Sequence, residues 1–164
     1  MPKIAIVMGS ASDLDVMKRA IDALDRFGVE REVRVLSAHR TPDAAREFVK
    51  TAQERGVRAF IAGAGKAAHL AGAIAAQTIL PVIGVPLKSS ALDGLDALLS
   101  TVQMPAGMPV ATVAIDGAEN AALLAVQILA CTDAALAEKY EKYRQDMTKK
   151  VLEKDMEIGG AFNG

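Results

Sequence analysis

Short runs of aliphatic residues alternate along the chain with longer stretches of helical periodicity. Five runs stand out: Ile4-Ala5-Ile6-Val7-Met8, Val33-Arg34-Val35-Leu36, Ala59-Phe60-Ile61-Ala62, Val82-Ile83-Gly84-Val85 and Ala111-Thr112-Val113-Ala114-Ile115. Most are continuous rather than alternating in polarity, as expected of strands that are covered on both faces. The apolar positions between the first two runs have helical spacing, and they are Leu14, Met17, Ile21, Leu24 and Phe27. Gly28, which follows them, is a residue that often ends helices.

Strands that alternate with helices predict a parallel sheet with right-handed crossovers. The strands β1–β5 are predicted at 3–8, 32–36, 58–62, 82–85 and 110–115. The helices α1–α5 are predicted at 13–27, 42–55, 67–78, 92–100 and 117–130. Five parallel strands favour the order 2-1-3-4-5. The predicted fold class is therefore α/β, a flavodoxin-like three-layer α/β/α arrangement followed by a long C-terminal helix.

The C-terminal segment 133–157 is highly charged and lacks Gly and Pro. Its apolar residues form one helical stripe, made of Leu136, Tyr140, Tyr143, Met147 and Val151. This stripe packs either on the chain's own body or on another subunit. We favour the second interpretation, because a helix that follows a completed sheet has little core left to cover. The predicted organisation is a catalytic domain at 1–132, a subunit-docking helix at 133–157 and a flexible tail at 158–164.

Composition narrows the functional classes. The chain has 164 residues, which fits one domain. A net charge of −1 provides no basic field for nucleic acid or anionic membranes, and 4% aromatic residues argue against base-stacking modules. The single cysteine, Cys131, excludes an internal disulfide and a multi-cysteine metal site. No stretch resembles a signal peptide or a membrane span, so we expect a cytoplasmic protein.

Ligands of open parallel sheets bind beyond the carboxyl ends of the strands where the strand order reverses, here near the loops after β1, β2 and β3. The first loop offers the hydroxyls of Ser10 and Ser12, and Asp13 can accept hydrogen bonds from sugar hydroxyls. The alternative is that Ser12 or Asp13 only caps α1.

The loop after β2 reads Ser37-Ala38-His39-Arg40-Thr41-Pro42. Thr41 and Pro42 suit the start of α2. Histidine is the residue type that most readily moves a proton in either direction, which makes His39 a candidate acid and base, while Arg40 offers a planar fork for phosphate or carboxylate. The alternative is an exposed surface pair without a function.

The loop after β3 reads Gly63-Ala64-Gly65-Lys66-Ala67-Ala68-His69. Its small residues let the backbone approach a ligand, and Lys66 adds a positive charge. His69 is either a structural histidine that faces the helix or part of a site. Both histidines of the chain fall in these loops, whereas Walker A and dinucleotide-binding spacings are absent. We therefore expect a small phosphorylated ligand and no metal.

The motifs taken together resemble the bacterial class I 5-(carboxyamino)imidazole ribonucleotide mutases of purine biosynthesis over nearly the whole chain. The motifs are Gly9-Ser10-Ala11-Ser12-Asp13, Ser37-Ala38-His39-Arg40-Thr41-Pro42, Ile61-Ala62-Gly63-Ala64-Gly65, Ala67-Ala68-His69-Leu70, Pro81-Val82-Ile83-Gly84-Val85-Pro86, Val102-Gln103-Met104-Pro105, Pro109-Val110-Ala111-Thr112-Val113-Ala114-Ile115 and Asn120-Ala121-Ala122-Leu123-Leu124-Ala125. Two positions depart from the family pattern: Lys66 replaces a usual Gly, and Ala71 replaces a usual Pro.

The resemblance implies an enzyme that moves a carboxylate from nitrogen to carbon through trapped carbon dioxide, without metal or organic cofactor. It implies His39 as the general acid and base, and a homo-octamer with 422 symmetry. Ser10, Asp13 and Arg40 would bind the ribonucleotide, and the loop at 65–70 would close over the base and carboxylate. The complete set of candidate substrate-binding residues is Ser10, Ser12, Asp13, Ser37, Ala38, Arg40, Gly65, Lys66, Ala67, His69 and Leu70.

Two other functions compete with this interpretation. A related group carboxylates aminoimidazole ribonucleotide directly, and its third loop resembles Ser-Asn-Ala-Leu-Ser-Gly. Ala67-Ala68-His69-Leu70-Ala71-Gly72 matches the mutases better. A flavodoxin-like binding or signalling module is the second alternative, but the clustered acids of a phosphoacceptor and the aromatics of a flavin site are missing.

Overall fold

Five parallel strands form one sheet in the order β2-β1-β3-β4-β5, as predicted. The computed structural model describes residues 2–163. The strands are β1 (Lys3–Met8), β2 (Glu30–Val35), β3 (Val57–Gly65), β4 (Val82–Leu87) and β5 (Ala111–Thr112). The helices are α1 (Leu14–Phe27), α2 (Pro42–Lys50), α3 (Leu70–Ala75), α4 (Leu95–Val102), α5 (Ala118–Ala130) and α6 (Ala134–Phe162), and a 3₁₀ helix at Ala11–Asp13 precedes α1. The predicted α/β class is therefore confirmed.

The continuous aliphatic runs lie in the centre of the sheet. In β1 every residue from Ile4 to Met8 is buried, and β4 is buried along its whole length. The edge strand β2 differs, because Val33 and Val35 are 38% and 52% exposed. The expectation of strands covered on both faces is thus wrong for β2, where charged residues alternate with the valines.

The helices cover both faces of the sheet. On one face, Phe60 of β3 meets Phe48 of α2 edge to face, with ring centroids 6.4 Å apart. Leu70 and Ile74 of α3 belong to the same buried cluster. On the other face, the buried Met17 of α1 lies directly over Gly63 of β3. Burial of each such side chain contributes roughly 1.5–3 kcal/mol, which ties α1, α2 and α3 to the strands that carry the predicted site.

Helices α2 and α3 are shorter than predicted, because side-chain hydrogen bonds limit the first and a tight turn precedes the second. Helix α2 was predicted to reach residue 55 but ends at Lys50. Nη2 of Arg55 donates to the carbonyl oxygen of Phe48 at 3.0 Å. The Thr51 hydroxyl donates to the carbonyl oxygen of Glu47, also at 3.0 Å. These bonds satisfy carbonyl groups at the end of the helix. Helix α3 has only six residues instead of the predicted 67–78, because residues 67–69 form a tight turn.

Strand β3 runs further than predicted, to Gly65 rather than residue 62. Its last three residues pair with Val85, Pro86 and Leu87 of β4. Part of the predicted third loop is therefore strand, and the loop itself is confined to 66–69. Strand β5 is shorter than predicted, with only Ala111 and Thr112 in the ladder.

Two compact units divide the chain, one ending at Val126 and the other spanning Gln127–Gly164. In the second unit, Asp133 caps α6 by accepting a hydrogen bond from the Leu136 amide at 3.0 Å. Helix α6 continues to Phe162, so residues 158–162, predicted as a flexible tail, are helical. Within residues 2–163, no helix combines the length and apolar character that a membrane crossing needs.

Candidate active site

The loops after β1, β2 and β3 meet around a cavity of about 300 Å³ at the carboxyl ends of the strands. It is lined by Gly9, Ser37, Ala38, His39, Arg40, Ala64, Gly65, Lys66, Ala67, His69 and Leu70. Nine of these lining residues, His39 among them, were candidates from the sequence. Gly9 and Ala64 are further lining residues that were not among the candidates for ligand binding, and their lack of a polar side chain explains the omission.

The two histidines form a hydrogen bond across this cavity. Nε2 of His39 and Nδ1 of His69 are 2.7 Å apart, and the ring planes meet at 84°. One nitrogen must donate and the other accept, so a single proton lies between the two rings. His69 is exposed and lines the cavity, which does not fit a structural histidine that faces the helix. Spacing along the sequence placed both residues near the switch point, but it gave no indication of their direct contact.

The Ser37 hydroxyl of its own loop and the Gly9 carbonyl of the first loop hold Arg40 in place. Its Nη2 donates to the carbonyl oxygen of Gly9 at 3.0 Å, and its backbone N–H donates to the Ser37 hydroxyl at 3.1 Å. Thr41 closes the turn by accepting from the Ser37 amide at 2.8 Å and donating to the Ser37 carbonyl at 3.2 Å. The guanidinium group is thereby fixed beside the cavity and keeps N–H donors for an anion.

Ser10, Ser12 and Asp13 are not among the residues that line the cavity. Asp13 accepts from the Ser10 amide at 3.0 Å, and the Ser10 hydroxyl accepts from the Ser12 amide at 3.4 Å. Together Ser10 and Asp13 form a capping box on the 3₁₀ helix. The predicted alternative, a cap on α1 by Ser12 or Asp13, is therefore wrong in its residues and its helix. Ser10 caps the 3₁₀ helix instead, and Asp13, which precedes α1, makes no side-chain cap bond to it.

Capping does not remove Asp13 from the neighbourhood of the site. A Cβ atom on Gly9, which lines the cavity, would lie 4.0 Å from Asp13 Oδ2. Partial burial raises the pKa of the Asp13 carboxyl, while the Ser10 amide and the nearby Arg40 guanidinium oppose that shift. Asp13 thus lies near enough to Arg40 to be influenced by its charge.

Lys66 occupies the first position after β3 with φ of 54°. This is the left-handed region that favours glycine, the residue usual at this position in the family that the sequence resembles. Lys66 is exposed and lines the cavity together with Arg40, whereas no carboxylate is among the lining residues. The cavity therefore carries two cations and a histidine pair, a combination suited to an anionic ligand.

A larger groove of about 920 Å³ lies at the other end of β4, lined among others by Val49, Ile79, Pro81 and Met108. Its one ionisable lining residue is Lys50. Without an acid, base or nucleophile it offers less chemistry than the smaller cavity. Among residues 2–163, no group of three or more His, Cys, Asp or Glu side chains is arranged to hold a metal.

Comparisons with known proteins identify the family of this chain. The family described as AIR carboxylase matches residues 3–150. The chain belongs to the AIR carboxylase family. This member is 60% identical over 149 residues to the N5-carboxyaminoimidazole ribonucleotide mutase of Pyrococcus abyssi, covering 91% of this chain and 86% of that protein.

A second relative of this AIR carboxylase family member is the N5-carboxyaminoimidazole ribonucleotide mutase of Bacillus subtilis, 55% identical over 154 residues, with 93% and 95% of the two chains covered. The crystal structure of Treponema denticola PurE superimposes with a TM-score of 0.88 at 30% identity, over 96% of this chain and 99% of that one. The resemblance is thus confirmed at the level of the family, and it extends beyond bacterial proteins.

Proposed function

We propose that this protein converts N5-carboxyaminoimidazole ribonucleotide to 4-carboxy-5-aminoimidazole ribonucleotide in purine biosynthesis, as a mutase of the bacterial class I type. The observation that carries the proposal is the hydrogen-bonded pair of His39 and His69 in a cavity that also holds Arg40. Relatives that are 54–60% identical over most of this chain are named as mutases of this substrate, which supports the same assignment.

The proposed reaction needs one group that first gives and then takes a proton. The bond between the exocyclic nitrogen and its carboxyl carbon breaks, carbon dioxide is released, and His39 protonates the nitrogen. The adjacent nucleophilic ring carbon then attacks the trapped carbon dioxide, and His39 removes the proton of that carbon to restore aromaticity. A histidine suits both steps because its proton affinity is balanced near neutral pH. His69 supports the role of His39 by sharing a proton with it.

The remaining residues would bind and enclose the substrate. Arg40 and Ser10 would hold the phosphate, and Asp13 the ribose hydroxyls. The candidates Ser37 and Ala38 line the same cavity, Ser12 would act through its hydrogen bond with Ser10, and the loop at 65–70 would cover the base and its carboxylate. Confinement beside the ring gives carbon dioxide a high effective concentration and keeps it from escaping to water. No step requires a metal or organic cofactor.

The variant His39→Asn tests this assignment. It should lose turnover of the carboxyamino substrate by at least about two orders of magnitude, because a general acid and base contributes about 10²–10⁴-fold. Calorimetric binding of 4-carboxy-5-aminoimidazole ribonucleotide should stay within about threefold of wild type, since Arg40 and Asp13 are untouched. Retention of full activity by the variant would refute the role of His39.

Direct carboxylation of aminoimidazole ribonucleotide is the second candidate, favoured by the description of the family that matches residues 3–150. We prefer the mutase reaction because 67–72 follows the mutase pattern. The two reactions differ in substrate, so assays with each substrate distinguish them.

We further propose that the protein is a cytoplasmic homo-octamer with 422 symmetry in which α6 docks on a neighbouring subunit. Along α6, Met147, Val151 and Met156 are 50%, 68% and 75% exposed in the single chain. Contiguous apolar exposure of this kind is typical of an interface. A cavity of about 300 Å³ is also at the small end of ligand sites, and a neighbouring chain would enlarge and close it.

Light scattering tests the assembly. Eight copies of the 17.2 kDa chain give about 138 kDa, whereas a mass near 17.2 kDa would refute the proposal. Val151→Glu should shift the mass toward smaller species, because it buries a charge in the proposed interface. The exposed Lys150 is the matched control, and Lys150→Glu should leave the mass unchanged.

A further inference from the structure

The side chain of Lys66 stands out because its backbone is strained without compensation within the chain. Among residues 2–163, three non-glycine residues have φ between 54° and 58°: Lys66, Asp93 and Asp116. Aspartates tolerate this region because their short side chains can form hydrogen bonds with the nearby backbone. The Asp116 carboxylate is further anchored by the Lys88 amide, which donates to it at 2.9 Å from another part of the chain. Lysine has no such local bond to offer. Strain of this kind persists where it serves a function.

The ammonium group of Lys66 has no counterion in the described part of the chain. The ion pairs of residues 2–163 do not include Lys66. The residues that line the cavity beside it contribute Arg40 and two histidines but no carboxylate. An unpaired cation at the mouth of a cavity without acids is arranged to receive an anionic group of a ligand.

The sheet order separates the two cations of the cavity. Arg40 follows β2, Lys66 follows β3, and β1 lies between these strands. Strands are about 4.8 Å apart, so the two loops start about 10 Å apart, with the hydrogen bond between His39 and His69 bridging them. Lys66 and His69 share the loop 66–69, which places Lys66 on the side of the site where His69 reaches His39.

We propose that Lys66 is a specificity-determining residue whose ammonium group binds the carboxylate of the substrate and product, while Arg40 serves the phosphate. This inference rests on the proposed function, because a carboxylate that leaves and re-forms beside His39 is part of that reaction. The charge of Lys66 contacts the carboxylate before and after transfer. It therefore discriminates the carboxylated ribonucleotides from aminoimidazole ribonucleotide, which has the same phosphate but no carboxylate.

Calorimetric titration with two ribonucleotides tests the proposal. Lys66→Gln keeps the β-carbon and removes the charge, so it should weaken binding of 4-carboxy-5-aminoimidazole ribonucleotide about tenfold, the loss of one charge-assisted hydrogen bond. Binding of aminoimidazole ribonucleotide should stay within about twofold. Lys66→Arg should restore most of the affinity. Lys50→Gln, at the exposed end of α2, is the matched control and should change neither affinity.

The outcomes separate this proposal from the function on which it rests. Equal losses for both ribonucleotides would place Lys66 at the phosphate and overturn the proposal, as would unchanged affinity for both. If the wild-type protein binds neither ribonucleotide, the proposed function itself fails. Lys66→Gly adds a readout of strain, since glycine adopts φ of 54° freely. This variant should unfold at least as high as Lys66→Gln while sharing its selective loss of affinity, and a lower unfolding temperature would contradict the strain argument.

Discussion

Gly63 provides a strict test of how the sheet supports the site. This residue lies in β3 just before Ala64 and Gly65, which line the cavity, and it pairs with Val85 of β4. A Cβ atom at Gly63 would lie 2.4 Å from the Sδ atom of Met17 and 3.0 Å from its Cε atom. Met17 is fully buried, so Gly63→Ala forces a side chain of α1 to move within a packed core.

The magnitude follows from the cost of overpacking. Inserting a methylene into a packed core costs about 1–3 kcal/mol, and the flexibility of methionine favours the middle of that range. A loss of about 2 kcal/mol in a chain of this length lowers the unfolding midpoint by about 4–8 °C. The clash involves only the Met17 side chain. Gly63→Ala should therefore cost much less stability in a protein that also carries Met17→Ala.

Calorimetric unfolding of four proteins measures this coupling: wild type, Gly63→Ala, Met17→Ala and the double variant. Gly9→Ala is the control, because a Cβ atom there would meet nothing nearer than 4.0 Å. It should leave the unfolding midpoint within about 1 °C of wild type, as surface substitutions usually do. If Gly63→Ala unfolds like wild type, or if its penalty persists without the Met17 side chain, the packing of α1 on β3 described above is wrong.

Two further predictions concern charged residues near the cavity. Burial raises the pKa of the Asp13 carboxyl, so folding binds protons there and the ionised group costs stability as pH rises above its ordinary value of 3.8. Asp13→Asn should therefore be more stable than wild type in urea unfolding at pH 7, by a margin that shrinks as the pH falls toward 3.8; a margin independent of pH would contradict this. Arg40→Lys keeps the charge but loses the planar fork that donates to Gly9. The KM for the ribonucleotide should rise about tenfold or more with a smaller change in kcat, and an unchanged KM would remove Arg40 from substrate binding.

The sequence predicts the sheet well because the central strands are distinct in composition. The runs at Ile4–Met8 and in β4 have no charged residues, so burial on both faces is the only arrangement that removes them from water. The ends of elements are harder to predict. Ala64 and Gly65 look like loop residues, yet they continue β3 because small side chains fit beside β4. Helix α2 ends at Lys50 because of bonds made by the Arg55 side chain, which no local periodicity reveals.

The residues of the site also divide into those that the sequence predicts and those that it does not. Topology alone brings the loops after β1, β2 and β3 together, so His39, Arg40 and Lys66 can be predicted as neighbours. The contact between His39 and His69 depends on rotamers of side chains that are 30 positions apart, which spacing does not define. The first loop shows how local capping can be anticipated only in kind. The sequence suggests a cap on α1 by Ser12 or Asp13, whereas Ser10 and Asp13 form a capping box on a 3₁₀ helix that the sequence does not predict.

The central claim is that His39 serves a transfer of carboxylate within one substrate. The most direct test supplies purified protein with N5-carboxyaminoimidazole ribonucleotide in the presence of isotopically labelled bicarbonate, and in parallel with aminoimidazole ribonucleotide and the same bicarbonate. The account predicts rapid formation of the 4-carboxylated ribonucleotide in the first reaction without label in the product, and little product in the second. Product that carries the label, or formation from aminoimidazole ribonucleotide and bicarbonate alone, would contradict it.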